Sequence, residues 1–183
     1  MERYFIEHCA PTLASIKCAN LFSYTFSNQQ EFEATLADWN SQFRPKGIQL
    51  QVLRKRENKA LVYMFRPRKI ELLMQDSDVV DFLRRYGYTE FSPQSVVDRL
   101  GQRLQATDDF PHEVGVMLGY PLDDVKSFIE NSGRNYRLMG LWKVYHNENE
   151  AVKTFAKFKK CRDVYTSLYD DGSRTIMQMT VVA

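Results

Sequence analysis

The chain has 183 residues and a formal net charge of +2, with 44% hydrophobic and 26% charged residues, the balance of an ordinary soluble protein. That length can bury roughly 70% of the surface its unfolded form exposes, so one domain over residues 1–183 is expected, with no need of a disulfide or metal staple. No apolar run approaches the ~18 residues of a membrane helix, Glu2, Arg3, Glu7 and His8 stand where a signal peptide would be apolar, and Cys9, Cys18 and Cys161 cannot all pair, which together point to a cytoplasmic protein with reduced thiols.

Cys9 and Pro11 are expected at a helix N-terminus near the start of the chain, followed by a first strand at residues 20–26 (Asn-Leu-Phe-Ser-Tyr-Thr-Phe), which is rich in aromatic and β-branched types. Ser27 and Gln30 have capping-box spacing, and Phe32, Leu36, Trp39 and Phe43 then repeat at helical intervals until Pro45 and Gly47 stop them. Residues 48–55 alternate at first, whereas 60–66 are apolar on both faces. A hairpin turning near Glu57 to Lys59 is expected, with its second strand the more central.

From Pro67 to Gly133 the period is helical. Asp76 or Ser77 can cap a helix with Val79, Phe82, Leu83 and Tyr86 inward, and Ser92-Pro93 opens another with Val97, Leu100 and Leu104 inward. Asp108 or Asp109 can cap the next helix, and Pro121 starts one carrying Leu122, Val125, Phe128 and Ile129. Residues 138–146 read as strand. A last helix, capped by Asn147 or Asn149, aligns Ala151, Phe155, Phe158, Cys161, Tyr165 and Leu168, and Ile176 to Val182 could add an edge strand. The order implies an α+β fold: an antiparallel sheet of four to five strands with a β-α-β-β start, half of a ferredoxin-like unit, and a helical insertion packed on it.

Charge is unevenly spread. Residues 54–69 hold seven basic side chains (Arg54, Lys55, Arg56, Lys59, Arg66, Arg68, Lys69) and one acid, Glu57, a net +6 that leaves −4 for the remainder. With Tyr63 and Phe65 nearby, this hairpin could neutralise phosphates and stack bases. A solvated sheet edge guarded by Lys and Arg accounts for the same residues with fewer assumptions, and no nucleic-acid-binding signature accompanies them.

Few motifs carry chemistry. His112-Glu113 opens like H-E-x-x-H, but Val116 occupies the second histidine's position, so no zinc site is expected. No glycine-rich nucleotide loop, P-loop, nucleophile elbow or paired-cysteine metal signature occurs. A thiol at a helix N-terminus would be favoured as thiolate, which makes Cys9, beside His8, a candidate nucleophile; as a residue type, cysteine is more often a small buried hydrophobe. Cys161 lies on an apolar stripe and is expected in packing, and Gly115 and Gly119 are expected to allow close approach and a turn. Lys143 and His146, with Trp142 and Tyr145, read as alternating sheet residues.

The segments His8-Cys9-Ala10-Pro11-Thr12-Leu13-Ala14-Ser15-Ile16-Lys17, Asn20-Leu21-Phe22, Phe110-Pro111-His112-Glu113-Val114-Gly115, Leu118-Gly119-Tyr120-Pro121-Leu122-Asp123-Asp124-Val125 and Gly140-Leu141-Trp142-Lys143-Val144-Tyr145 resemble an uncharacterised bacterial family, a domain of unknown function. Cys161 fits that resemblance and Cys18 departs from it. The resemblance implies a small cytosolic bacterial protein and supplies no activity, cofactor or partner.

The leading expectation is therefore a noncatalytic binding or regulatory protein for a small ligand, cofactor or protein partner. Its site is expected where polar side chains stand beside Pro and Gly, with His8, Cys9, His112, Tyr120 and Trp142 converging on one cleft. The rival readings are a thiol-dependent enzyme using Cys9 with His8 or His112, and a nucleic-acid binder using residues 54–69. No membrane partner is expected.

Overall fold

A computed structural model describes residues 1–106 and 110–182, so the cap expected at Asp108 or Asp109 lies outside the described residues. Phe5, Ile6, Cys9 and Leu13 fall on one face of helix α1 (Glu2–Leu13) and are fully buried. A Schellman motif ends it: Ser15 takes the left-handed conformation (φ 55°), Ile16 N–H donates to Pro11 O at 2.9 Å and Ser15 N–H to Thr12 O at 3.1 Å. The chain then reverses, and Lys17 and Cys18 bridge α1 to strand β1 (Ala19–Thr25).

Helix α2 (Gln29–Phe43) buries Phe32, Leu36, Trp39 and Phe43, as their spacing requires. Its cap is Asn28, whose Oδ1 accepts from Glu31 N–H at 3.1 Å, one residue beyond the expected Ser27. After a 3-10 turn (Arg44–Lys46), β2 (Gln49–Arg56) and β3 (Lys59–Phe65) form the hairpin, and β1 pairs antiparallel with the other edge of β3, giving the order β1-β3-β2. The second hairpin strand is central, in keeping with its apolar character on both faces: Ala60, Val62 and Met64 serve one core, Tyr63 and Phe65 the other.

Helices α1 and α2 cover the first face of the sheet. The second face packs on α3 (Pro67–Leu73), α4 (Ser77–Arg84), α5 (Pro93–Ala106), α6 (Val114–Met117) and α7 (Leu122–Glu130). Asp76 caps α4 by accepting from Asp78 N–H at 2.9 Å. The architecture is thus α+β, with the split β-α-β arrangement at its start, but the main sheet has three strands among the described residues, not four or five.

Two expected strands are lost for identifiable reasons. Residues 138–146 form only a two-residue hairpin, β4 (Leu138–Met139) with β5 (Lys143–Val144), because Gly140, Leu141 and Trp142 make the turn and leave no length for a ladder. The expected edge strand at 176–182 begins as helix α9 (Ile176–Met179). Thr175 Oγ1 accepts from Gln178 N–H and Gln178 Oε1 from Thr175 N–H, a capping box that overrides the alternation. Between these segments α8 (Glu148–Asp170) lies along α1 and buries only Ala151 fully; Phe155, Phe158, Cys161, Tyr165 and Leu168 are half-buried.

Arg66, 1% exposed, ties the termini together. It donates to Thr12 O (2.7 Å), Leu13 O (3.0 Å), Lys46 O (3.1 Å) and Val181 O (2.7 Å). No carboxylate is needed, because the last carbonyls of α1 carry the negative end of the helix dipole and lack intrahelical partners.

Candidate functional site

The segment richest in punctuation folds into one wall of a cavity. Gly115 lets α6 approach α7 closely: a Cβ there would stand 2.9 Å from Val125 Cγ2 and 3.2 Å from Tyr120 Cδ2. Gly119, at φ +79°, turns the chain so that Tyr120 leaves the helix and Pro121 starts the next one. Tyr120 then stacks on Trp142, with ring centroids 4.9 Å apart, and Trp142 meets Phe155 edge-on at 4.5 Å.

A buried carboxylate holds this arrangement. Asp124, 2% exposed in the first turn of α7, accepts from Trp142 Nε1–H (2.8 Å), Tyr145 N–H (2.8 Å) and His146 N–H (2.9 Å). Three donors satisfy a charge that would otherwise be costly to bury, and they clamp the β4–β5 hairpin and its indole against α7. Glu113, also buried, accepts from Tyr88 O–H at 3.3 Å and from Arg103 Nε–H, which fixes α6 against α5. Asp124 is a residue the sequence reading missed. An acid in the first turn after Pro121 reads as an exposed dipole-complementing residue, and nothing local signals that it turns inward.

The resulting cavity, about 480 Å³, is lined mainly by apolar and aromatic side chains, Tyr120, Val125, Phe128, Trp142 and Leu118 among them, with Asp124, His112 and Lys143 the polar contributors. Phe110, Met139 and Leu141 remain exposed around its lining. Size and lining fall within the range of small-molecule sites. Lys143 is already engaged, donating to Gly133 O at 2.7 Å with its ammonium 5.0 Å from the Tyr136 ring. His112 is exposed and meets Phe128 edge-on at 4.9 Å.

Of the five residues expected to converge, His112, Tyr120 and Trp142 line this cavity. His8 does not: it lies on α1, stacked on Phe22 at 6.0 Å, and lines an adjoining cavity of about 410 Å³ that shares Tyr120, Gly140 and Leu141 with the first. Cys9 lines neither. Helix α1 begins at Glu2, so Cys9 sits toward its C-terminal end rather than at an N-terminus, and the dipole argument for a thiolate reverses. The side chain is 0% exposed, and burial raises its pKa far above the ordinary thiol value, only partly opposed by Lys17.

Other chemical groupings are incomplete. Ser127 Oγ lies 3.0 Å from His146 Nε2, but no carboxylate among the described residues hydrogen-bonds the His146 ring, Asp124 being spent on backbone and indole N–H groups, and neither member lines either cavity. Among the described residues no three His, Cys, Asp or Glu side chains are grouped to hold a metal, and no helix is long and apolar enough to cross a membrane. In the basic hairpin, Tyr63 and Phe65 are buried at 0% and 1% exposure and cannot stack on bases, Arg66 is consumed by carbonyls, and Lys55 pairs with Glu33 at 2.5 Å.

The elements define an α+β protein in which two helical turns and a short hairpin wall off an aromatic cavity beside the main sheet. The chain belongs to the family described as Protein of unknown function (DUF3793), whose profile matches residues 5–179, in agreement with the resemblance carried by its motifs. No curated protein and no solved structure matches it.

Proposed function

We propose that this chain is a noncatalytic binding protein whose ligand is a small molecule with an aromatic or apolar body, held in the 480 Å³ cavity against Tyr120, Phe128 and Trp142. The observation that carries the reading is the Asp124 clamp. A buried carboxylate with three donors fixes the indole of Trp142 in a cavity wall whose exposed neighbours, Phe110, Met139 and Leu141, add apolar surface that packing alone does not use. Both cores share the central sheet, which supports treating residues 1–183 as one domain, and three free cysteines suit a reducing cytosol. The thiol-dependent alternative finds no support in a Cys9 buried within α1.

The test is a titration with 8-anilinonaphthalene-1-sulfonate as a generic probe of apolar sites. The folded protein should enhance its emission saturably at one site, and Met139→Asp at the exposed rim should weaken that binding severalfold without changing the circular dichroism. Absence of enhancement by folded protein, or enhancement indifferent to Met139→Asp, would remove the reading.

A further inference from the structure

The adjoining cavity contains a lysine for which the fold offers no counter-charge. Lys17, 9% exposed, is placed between α1 and β1 by the Schellman turn at Ser15. Its ammonium lies over Tyr120 at 5.4 Å and Phe158 at 6.0 Å, both of which line this 410 Å³ cavity, as Lys17 itself does. The other charged side chains of the lining are paired: Glu7 with Arg3 at 2.7 Å, and Lys159 and Arg162 with Asp163 at 2.6 and 3.9 Å. Among the described residues Lys17 is the one formally charged side chain of this lining with neither a carboxylate nor a hydrogen-bond acceptor.

The Lys17 stem is buried while its ammonium opens onto the cavity rather than being sealed in the core, and holding it there without a protein acceptor is unfavourable, stacking over aromatic faces offsetting only part of the cost. Burial accordingly lowers the Lys17 pKa, with the thiols of Cys18 and Cys9 the only groups opposing it. A second donor stands beside it in the lining. Asn20 Oδ1 accepts from Thr12 Oγ1–H at 2.7 Å, which leaves the Asn20 amide N–H donors without an acceptor among the described residues. Pro11, Leu141, Phe155 and Phe158 give the lining apolar surface beside these donors and the paired charges.

We infer that Lys17 and Asn20 form an anion-binding end of the ligand site, so that the ligand is an organic acid whose carboxylate meets both donors while its apolar body lies against the Tyr120–Leu141 wall shared by the two cavities. This rests on the ligand-site reading above and adds to it the chemical class of the ligand. A compact ammonium and one amide suit a single carboxylate, which supplies the acceptors the two donors lack and the counter-charge the ammonium lacks.

Calorimetric titration of the full chain at pH 7 with 2-naphthoate and with 2-naphthol, which is uncharged at that pH and nearly the same shape, decides the matter. The naphthoate should bind at least tenfold more tightly. Lys17→Met should erase that preference, read as the ratio of the two affinities in the same variant, and Asn20→Asp, which retains the cation but opposes a carboxylate, should reduce it. Equal binding of the two compounds by the wild type, or a preference that survives Lys17→Met in folded protein, overturns the anion site and leaves the apolar cavity standing. Binding of neither compound to the folded wild type overturns both readings.

Discussion

Replacing Asp124 tests the device that builds the site. In Asp124→Ala three donors lose their acceptor. His146 is exposed and Trp142 half-buried, so water can reach two of them; Tyr145 is 6% exposed, so its N–H bears the fuller desolvation penalty of about 1–3 kcal/mol. Adding the loss of hydrogen bonds to a charged acceptor, about 1.5–3 kcal/mol each before water replaces them, gives an expected destabilisation of about 3 kcal/mol. For a chain of this size that corresponds to a fall in Tm of roughly 6–12 °C. Asp124→Asn separates the two roles. Both backbone N–H groups use Oδ1, whereas the indole uses Oδ2, so an asparagine that keeps its oxygen toward the backbone presents an NH2 to Trp142 and releases only the ring. Urea unfolding followed by circular dichroism should show Asn losing less than half of what Ala loses, with Trp142 emission shifting in both. A cost for Ala below ~0.5 kcal/mol, or equal costs for the two variants, would refute the clamp.

Three further outcomes follow from buried groups. Iodoacetamide at pH 8 should label Cys161, half-buried and with its thiol pushed up to about 11 by burial, before Cys9, which should react only on unfolding; rapid labelling of Cys9 would restore the thiol reading. Arg66→Met should lower stability by about 2–4 kcal/mol, because four carbonyls lose their donor, and should expose the C-terminal segment to carboxypeptidase faster than wild type; unchanged digestion would show that the tail is held otherwise. Lys17 has a folded pKa below its ordinary value of about 10.5, so the unfolded chain binds more protons between those two values and stability rises with pH across that window, the penalty being fully present below it. Urea midpoints of wild type and Lys17→Met should therefore converge, or wild type should gain on the variant, between pH 7 and pH 10.5. A wild-type advantage at pH 7 that shrinks as pH rises would contradict the unpaired cation.

Long-period features were the ones readable from sequence. Phe32, Leu36, Trp39 and Phe43 form the buried face of α2 because a 3.6-residue repeat leaves one solution, and β3 is central because it is apolar on both faces. Short segments were decided by local hydrogen bonds that compete with pattern. The capping box at Thr175 and Gln178 turned an alternating stretch into α9, and the Gly140–Trp142 turn cut the 138–146 strand to a two-residue hairpin. The punctuated segment from Phe110 to Trp142 did mark the cavity, since Gly115 and Gly119 permit the close approach and reversal that make its wall. Pro11 suggests a helix start beside Cys9, whereas α1 starts nine residues before the proline and holds it in its last turn, where the Schellman bonds need only its carbonyl. Lys17 and Asp124 were invisible, because a lone lysine and a first-turn acid look like surface residues until tertiary contacts enclose them.

The proposal that the aromatic cavity takes a ligand is tested most directly by the two indole N–H signals of the ¹⁵N-labelled protein, assigned with Trp39→Phe. Trp39 lies in the core against Phe5 and Phe43, and Trp142 in the cavity wall. Titration with 2-naphthoate should move the Trp142 signal saturably while that of Trp39 stays in place. A Trp142 signal that does not move while calorimetry registers binding would put the ligand elsewhere and contradict the account.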